Sequence, residues 1–148
     1  MSLLVVVDTN VIVDALFNDD KYAQRVINSI LKEEITLAIS HPIFREMMNV
    51  VMRHAIEAGL TLTQAKRPIL KVAEMFSRAK HVNPTVKLEV ADHSPDNKFF
   101  ECAYEADITI IISSDGDVSE LTIVKTCTNR VINVYSPWQF ICKFKIKG

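Results

Sequence analysis

Glycine is scarce in this chain: there are three in 148 residues, with only five prolines. A glycine-rich phosphate loop is therefore missing, which disfavours a nucleotide-binding Rossmann enzyme. The same scarcity argues for a compact, ordered globule rather than a linker-like chain. No apolar run approaches the ~20 residues that a membrane helix needs. The apolar opening, Leu3 to Val7, is short and lacks a basic flank, so no signal peptide is expected. Cysteines are few and odd in number, and Cys102, Cys127 and Cys142 lack metal-type spacing. They read as reduced, packed thiols of a cytosolic protein. The histidines, His41, His54, His81 and His93, share no ligand spacing either. Net charge is −1, which does not advertise a nucleic-acid binder.

What is present is an apolar, patterned chain, with 49% hydrophobic residues. Its length fits a single domain, residues 1–148, with a real core. "LLVVV" reads as a strand buried on both faces. A helix is expected from Val11 to about Phe17 and another from Asp19 or Asp20 to Lys32. "ITLAIS" is a second strand. The helix after it has Ser40 as N-cap, Pro42 in its first turn and Gly59 near its stop. Thr61 or Thr63 opens a further helix running to about Ala79. "VKLEV" reads as a short strand, and "SPDNKFFECAYEA" as a helix capped by Ser94. "DITIIIS" and "RVINVYS" are the remaining main strands, with a short final segment around "PWQF". Strands alternating with helices give an α/β fold with a central parallel sheet.

Charge is unevenly spread. From Leu62 to Leu88 the chain carries Lys66, Arg67, Lys71, Arg78, Lys80 and Lys87 against Glu74 alone. The next stretch, Ala91 to Glu120, is acidic. On charge alone this is a solvated helix face followed by ordinary helix-start acids.

Ligands in open α/β sheets bind outside the carboxyl ends of the strands. Asp8 closes the first strand. Asp115 and Asp117 follow the third main strand in "SSDGD". Glu46 borders the apolar stripe Ile43, Phe44, Met47 and Val51. Asp96 shares a helix face with Phe99, Phe100 and Ala103. Each acid alone has an ordinary reading: a cap, a turn residue or a first-turn acid favoured by the helix dipole. Together they would repel one another, and no Lys or Arg lies within a few residues on the first strand–helix turn. A bound divalent cation resolves the conflict, and carboxylate-only sites suit Mg²⁺ or Mn²⁺.

"VVVDTNVIVDALF", "HPIFREMMNVV" and "SPDNKFFECAYEADITIIISSDGDV" resemble, in order and spacing, the PIN-domain ribonucleases, and most closely the PIN-family toxins of toxin–antitoxin pairs. The resemblance implies a Rossmann-like three-layer α/β/α fold and metal-dependent cleavage of single-stranded RNA. It implies that Asp8, Glu46, Asp96 and Asp115 are catalytic and bind Mg²⁺ or Mn²⁺, with Asp117 as a fifth acid. Asn10 and Ser114 match polar positions that steady ligands or the attacking water. It also implies an antitoxin protein as partner; no membrane and a cytoplasmic location are expected from the short apolar runs and the reduced thiols. With RNA as substrate, Lys66, Arg67 and Lys71, and with them Arg78, become candidates to guide phosphates. A homodimer is expected, with Trp138 and Phe140 as core or dimer contacts. The stretch "SSDGDVSEL" differs from the family's usual Thr-Gly before the fourth acid and Leu-rich turn after it.

Two other readings stand beside the ribonuclease. One is a PIN-like domain that no longer cleaves and binds RNA or protein. The other is a metal-dependent DNA nuclease or phosphatase. A lone Asp8, with Asn10 two residues on, lacks the second Asp of an aspartyl-phosphate phosphatase.

Overall fold

The computed structural model describes residues 3–85, 97–114, 123–125 and 131–148. Its centre is a six-stranded sheet of order β3-β2-β1-β4-β6-β5. The strands are β1 (Leu3–Val7), β2 (Ile35–Ser40), β3 (Lys80–Val82), β4 (Ile110–Ile112), β5 (Ile123–Lys125) and β6 (Val131–Tyr135). Every pairing is parallel except that of β5 with β6 at one edge. Four of the five parallel strands, β1, β2, β4 and β6, are the ones expected from the sequence. The fifth, β3, and the antiparallel edge strand β5 are additions to it. The strand expected at "VKLEV" lies outside the described residues.

Among the described residues six helices flank the sheet: α1 (Thr9–Phe17), α2 (Lys21–Leu31), α3 (His41–Glu57), α4 (Leu62–Arg78), α5 (Asn97–Glu105) and α6 (Pro137–Phe144). The result is a three-layer α/β/α arrangement. Their starts follow from local chemistry. Asp20 accepts hydrogen bonds from the Tyr22 and Ala23 N–H groups at the head of α2. Ser40 caps α3 as expected, accepting from the Ile43 N–H, with Pro42 in the first turn. Thr61 and Gln64 bond reciprocally at the head of α4. Such caps each stabilise a helix by about 1 kcal/mol.

The carboxyl halves of β1 and its neighbour β4 are sealed on both faces. Val5, Val6, Val7, Ile111 and Ile112 have no exposed surface. The α3 stripe is buried at Ile43, Met47 and Val51, and α5 buries Phe99, Phe100 and Ala103. Each large apolar side chain hidden in this way contributes roughly 1.5–3 kcal/mol. α5 packs on β1, β2 and β4. Cys102 is packed into the same core, and burial pushes its thiol up to about 12. Cys142, by contrast, is exposed, which corrects its reading as a packed thiol; Cys127 lies outside the described residues. Phe140 is core while Trp138 is exposed.

Candidate functional site

The strand order places the chain's topological switch at β1: β2 follows on one side and β4 lies on the other. Side chains just past the carboxyl ends of β1, β2 and β4 therefore meet in one crevice, the expected location for a ligand in such a sheet. Asp8 is the first residue beyond β1. Its backbone N–H continues the ladder to the Ile112 carbonyl at 2.8 Å, then its own carbonyl receives the Val11 N–H as α1 begins. Asp8 is the N-cap of α1, and its Oδ1 accepts the Asn10 N–H at 3.4 Å. The side chain is only 4% exposed. As the N-cap, the carboxylate sits at the positive end of the α1 dipole.

Ser113 stands past β4 as Asp8 stands past β1. Its hydroxyl donates to Asp8 Oδ2 at 2.7 Å, and its N–H is held by the Tyr135 carbonyl of β6. Asp8 is thus gripped on both oxygens, which fixes its orientation. Ser114, the serine expected from sequence, is exposed, and the neighbouring Ser113 is fully buried. Asn10 contributes its backbone N–H to Asp8, and the residue is exposed.

Glu46 comes from the second turn of α3. The buried Thr9 hydroxyl donates to Glu46 Oε2, joining the residue beside Asp8 to the α3 carboxylate. Lys98, in the first turn of α5, places Nζ 2.8 Å from Glu46 Oε1. Lys98 Nζ also lies 4.9 Å from the Phe99 ring centroid, a favourable contact for a cation. Three elements, α1, α3 and α5, therefore meet at Glu46. The first strand–helix turn offers no counter-charge; the fold brings one to Glu46 in Lys98. Thr9, Lys98 and Ser113 escape a reading of the sequence. Their contacts join distant parts of the chain, 37 and 105 residues apart for the Thr9 and Ser113 bonds.

Asp96, Asp115 and Asp117 lie outside the described residues. Among the described residues no three His, Cys, Asp or Glu side chains gather into a metal-holding group. What is described, Asp8 and Glu46 with the Thr9 and Ser113 hydroxyls, is a set of hard oxygen donors. That set fits Mg²⁺ or Mn²⁺ and does not fit a soft ion.

Two of the expected phosphate guides line a different groove. Lys66, Arg67 and Lys71 are exposed on α4. Arg67 and Lys71 line a groove of about 650 Å³ against Leu16 and Phe17 at the far end of α1 and Leu60 beyond α3. Phe17 is nine residues along the chain from Asp8, or roughly 13 Å of helix. A second groove, of about 560 Å³, opens directly on Glu46 and Lys98 along α3.

Comparison with known proteins agrees with this architecture. A sequence profile of the PIN domain matches residues 4–117, most of the chain, and the chain belongs to the PIN domain family. PIN domains are generally nucleases, and those nucleases generally use divalent metals. The uncharacterized protein MJ1680 of Methanocaldococcus jannaschii is 29% identical over 149 residues, covering 98% of this chain and 94% of its own. Among solved structures, VapBC2 from Rickettsia felis, bound to a DNA fragment from their promoter, aligns with a TM-score of 0.56 at 13% identity. That alignment covers 90% of this chain and 98% of the other. PAE2754 from Pyrobaculum aerophilum aligns with a TM-score of 0.55 at 16% identity, covering 98% and 97%. At these identities the structural likeness speaks for the fold.

Proposed function

We propose that this protein is a divalent-metal-dependent endoribonuclease that cleaves single-stranded RNA, acting in the cytoplasm as the toxin of a toxin–antitoxin pair. The observation that carries the reading is the meeting of Asp8 and Glu46, through Thr9, at the carboxyl end of β1 in a PIN domain. The fold shared with a VapBC protein supports the toxin and antitoxin part. Asp96 immediately precedes Asn97, the first residue of α5, whose neighbour Lys98 pairs with Glu46. Asp115 follows Ser114, just past β4. Those adjacencies support Asp96 and Asp115 as the remaining acids, with Asp117 beyond Gly116 as a fifth. Together the acids would hold Mg²⁺ or Mn²⁺, which activates water and offsets charge building on a phosphate. The chain's own groups prepare the site. Ser113 and the Asn10 N–H hold Asp8 oriented. Thr9 holds Glu46. Lys98 balances the carboxylate charge. A homodimer carrying Trp138 at its surface is the assembly we expect.

A second reading has an observation of its own. Lys98 pairs with Glu46 at 2.8 Å, a counter-charge that also suits a domain that binds but no longer cleaves. The deciding experiment incubates mixed RNA and DNA oligonucleotides with wild type and Asp8→Asn, with and without Mn²⁺. Asparagine caps helices as well as aspartate does, so this variant removes charge and keeps the fold. The ribonuclease reading expects Mn²⁺-dependent cleavage of single-stranded RNA, lost in Asp8→Asn. Cleavage of DNA alone, or binding without cleavage, would refute it.

A further inference from the structure

The groove on α3 joins a row of polar and basic side chains to Glu46 and Lys98. Arg45, Asn49 and Arg53 recur at four-residue intervals on one helix and line the same cavity as Glu46 and Lys98. Successive members rise about 6 Å along the helix axis. All three α3 residues are exposed. Arg45 reaches His41, one turn earlier, at 3.4 Å; a guanidinium only donates, so the His41 Nε2 accepts. That contact fixes Arg45 without neutralising it. Among the described residues neither Arg45 nor Arg53 forms an ion pair. A row of uncompensated guanidinium groups thus leads to the one described carboxylate that α3 presents to the crevice.

We propose that Arg45, Asn49 and Arg53 form a track for the backbone phosphates of a single-stranded nucleic acid, ending at Lys98 and Glu46. The inference rests on the nuclease reading and names where its substrate runs. Guanidinium groups match phosphate oxygens in a two-pronged geometry. The Asn49 amide donates to a phosphate or sugar oxygen between them. Lys98 sits where the track meets the acids, so a phosphate arriving along α3 finds an ammonium before it meets Glu46. Apart from His41 no described lining residue is aromatic, so the track holds the backbone rather than stacking bases. Recognition along it is electrostatic and tolerant of sequence.

The test uses a labelled 12-nucleotide RNA of mixed sequence and the full chain. Apparent KM, kcat and anisotropy-derived affinity are measured over a range of salt in Mn²⁺. On a single strand, each phosphate that a cation neutralises adds about 0.7 to the steepness of log K against log salt. Arg45→Gln/Arg53→Gln should therefore flatten the slope by about 1.4 and weaken RNA binding roughly 10- to 30-fold at 0.1 M salt. The loss should fall in KM, with kcat moving less. The rival variant is Lys66→Gln/Lys71→Gln on α4. If wild type cleaves and the α3 variant keeps its slope and KM, or the α4 variant takes the loss instead, the track is wrong and the nuclease reading survives. If RNA binding depends on the α3 arginines but no divalent ion gives cleavage, the track stands and the nuclease reading falls. Poly-glutamate of matching length stands in for an acidic protein segment. Arginine-dependent binding of poly-glutamate, with RNA affinity unmoved, would assign the face to a protein partner and overturn the proposal.

Discussion

α3 and α4 are helices of the same length, 17 residues, joined by a short turn. Both bury one face, both are capped by a hydroxyl, and both carry several cations outward. By sequence α4 is the basic one. Yet α3 starts at the carboxyl end of β2, so its first turns stand at the crevice. α4 starts where α3 ends, and Arg67 and Lys71 line a groove at the far end of α1. A count of charges along a segment says nothing about which charges face the chemistry. Strand order and chain direction decide that.

The largest effect expected from this contrast separates two glutamates. Glu46 on α3 is tied to Thr9 and Lys98, while Glu74 on α4 is paired with exposed Arg78. Glu46→Gln should lower Mn²⁺-dependent cleavage by more than the roughly 10–100-fold that outer-shell changes cost. Glu74→Gln should leave the rate at wild type. Initial rates on one RNA substrate decide it. Equal losses would mean that the two helices share the site.

Much of this is legible in the sequence. The cap Ser40, Pro42 and the stripe Ile43, Met47, Val51 are local signals, and α3 forms where they say. The parallel core strands are long apolar runs, and they too are found. β3 and β5 have three residues each, and unlike the equally short β4, which lies within the mostly apolar run Ile108–Ile112, they include charged or polar residues and give no such signal. The site is half legible. Asp8 and Glu46 declare themselves by their place beyond strand ends. Thr9, Lys98 and Ser113 do not, because their partners are distant in sequence and only the packed fold brings them near. The choice of Ser114 over Ser113 shows how fine the margin is: successive residues leaving a strand face opposite ways, so one step moves a hydroxyl from Asp8 to solvent.

Next in size is a pair of core truncations on which the helices should agree. Met47 on α3 and Met75 on α4 are each 1% exposed. Met47→Ala and Met75→Ala should each destabilise by about 2–5 kcal/mol. Denaturant midpoints at unchanged slope are the measure. A far smaller loss at Met75 would show α4 to be loosely docked, and its basic face free to approach the site.

The caps come third. Ser40→Ala and Thr61→Ala should each cost about 1 kcal/mol. Thr61 takes part in a reciprocal pair with Gln64, at 2.9 and 3.2 Å, whereas Ser40 accepts a single bond at 3.4 Å. Thermal melts should therefore show Thr61→Ala as the more damaging of the two. In activity the order should reverse, because Ser40 sets the start of the helix that carries Glu46. If the α3 cap could be removed without any change in cleavage, Glu46 would owe its position to Thr9 and Lys98 alone.

The smallest expected effect is at Arg78, the last cation of α4. Its guanidinium lies 3.1 Å from Glu33 and 3.3 Å from Glu74, so unlike Arg45 and Arg53 it already has anionic partners. All three side chains are more than a third exposed, at 37%, 69% and 48%. Water and salt screen such pairs, and ordering long side chains offsets much of the attraction. The double-mutant cycle of Arg78→Ala with Glu33→Ala should return a coupling of less than about 1 kcal/mol, shrinking further in 1 M salt. The same Arg78→Ala protein should bind RNA with the wild-type salt slope, since a guanidinium already paired with two carboxylates does not neutralise an RNA phosphate and so displaces none of its counterions. A strong coupling with an unchanged slope would make Arg78 a structural clasp between α4 and the turn that follows α2. A weak coupling with a flattened slope would place it in the substrate's path, and the division between a phosphate-guiding α3 and a merely solvated α4 would have to be given up.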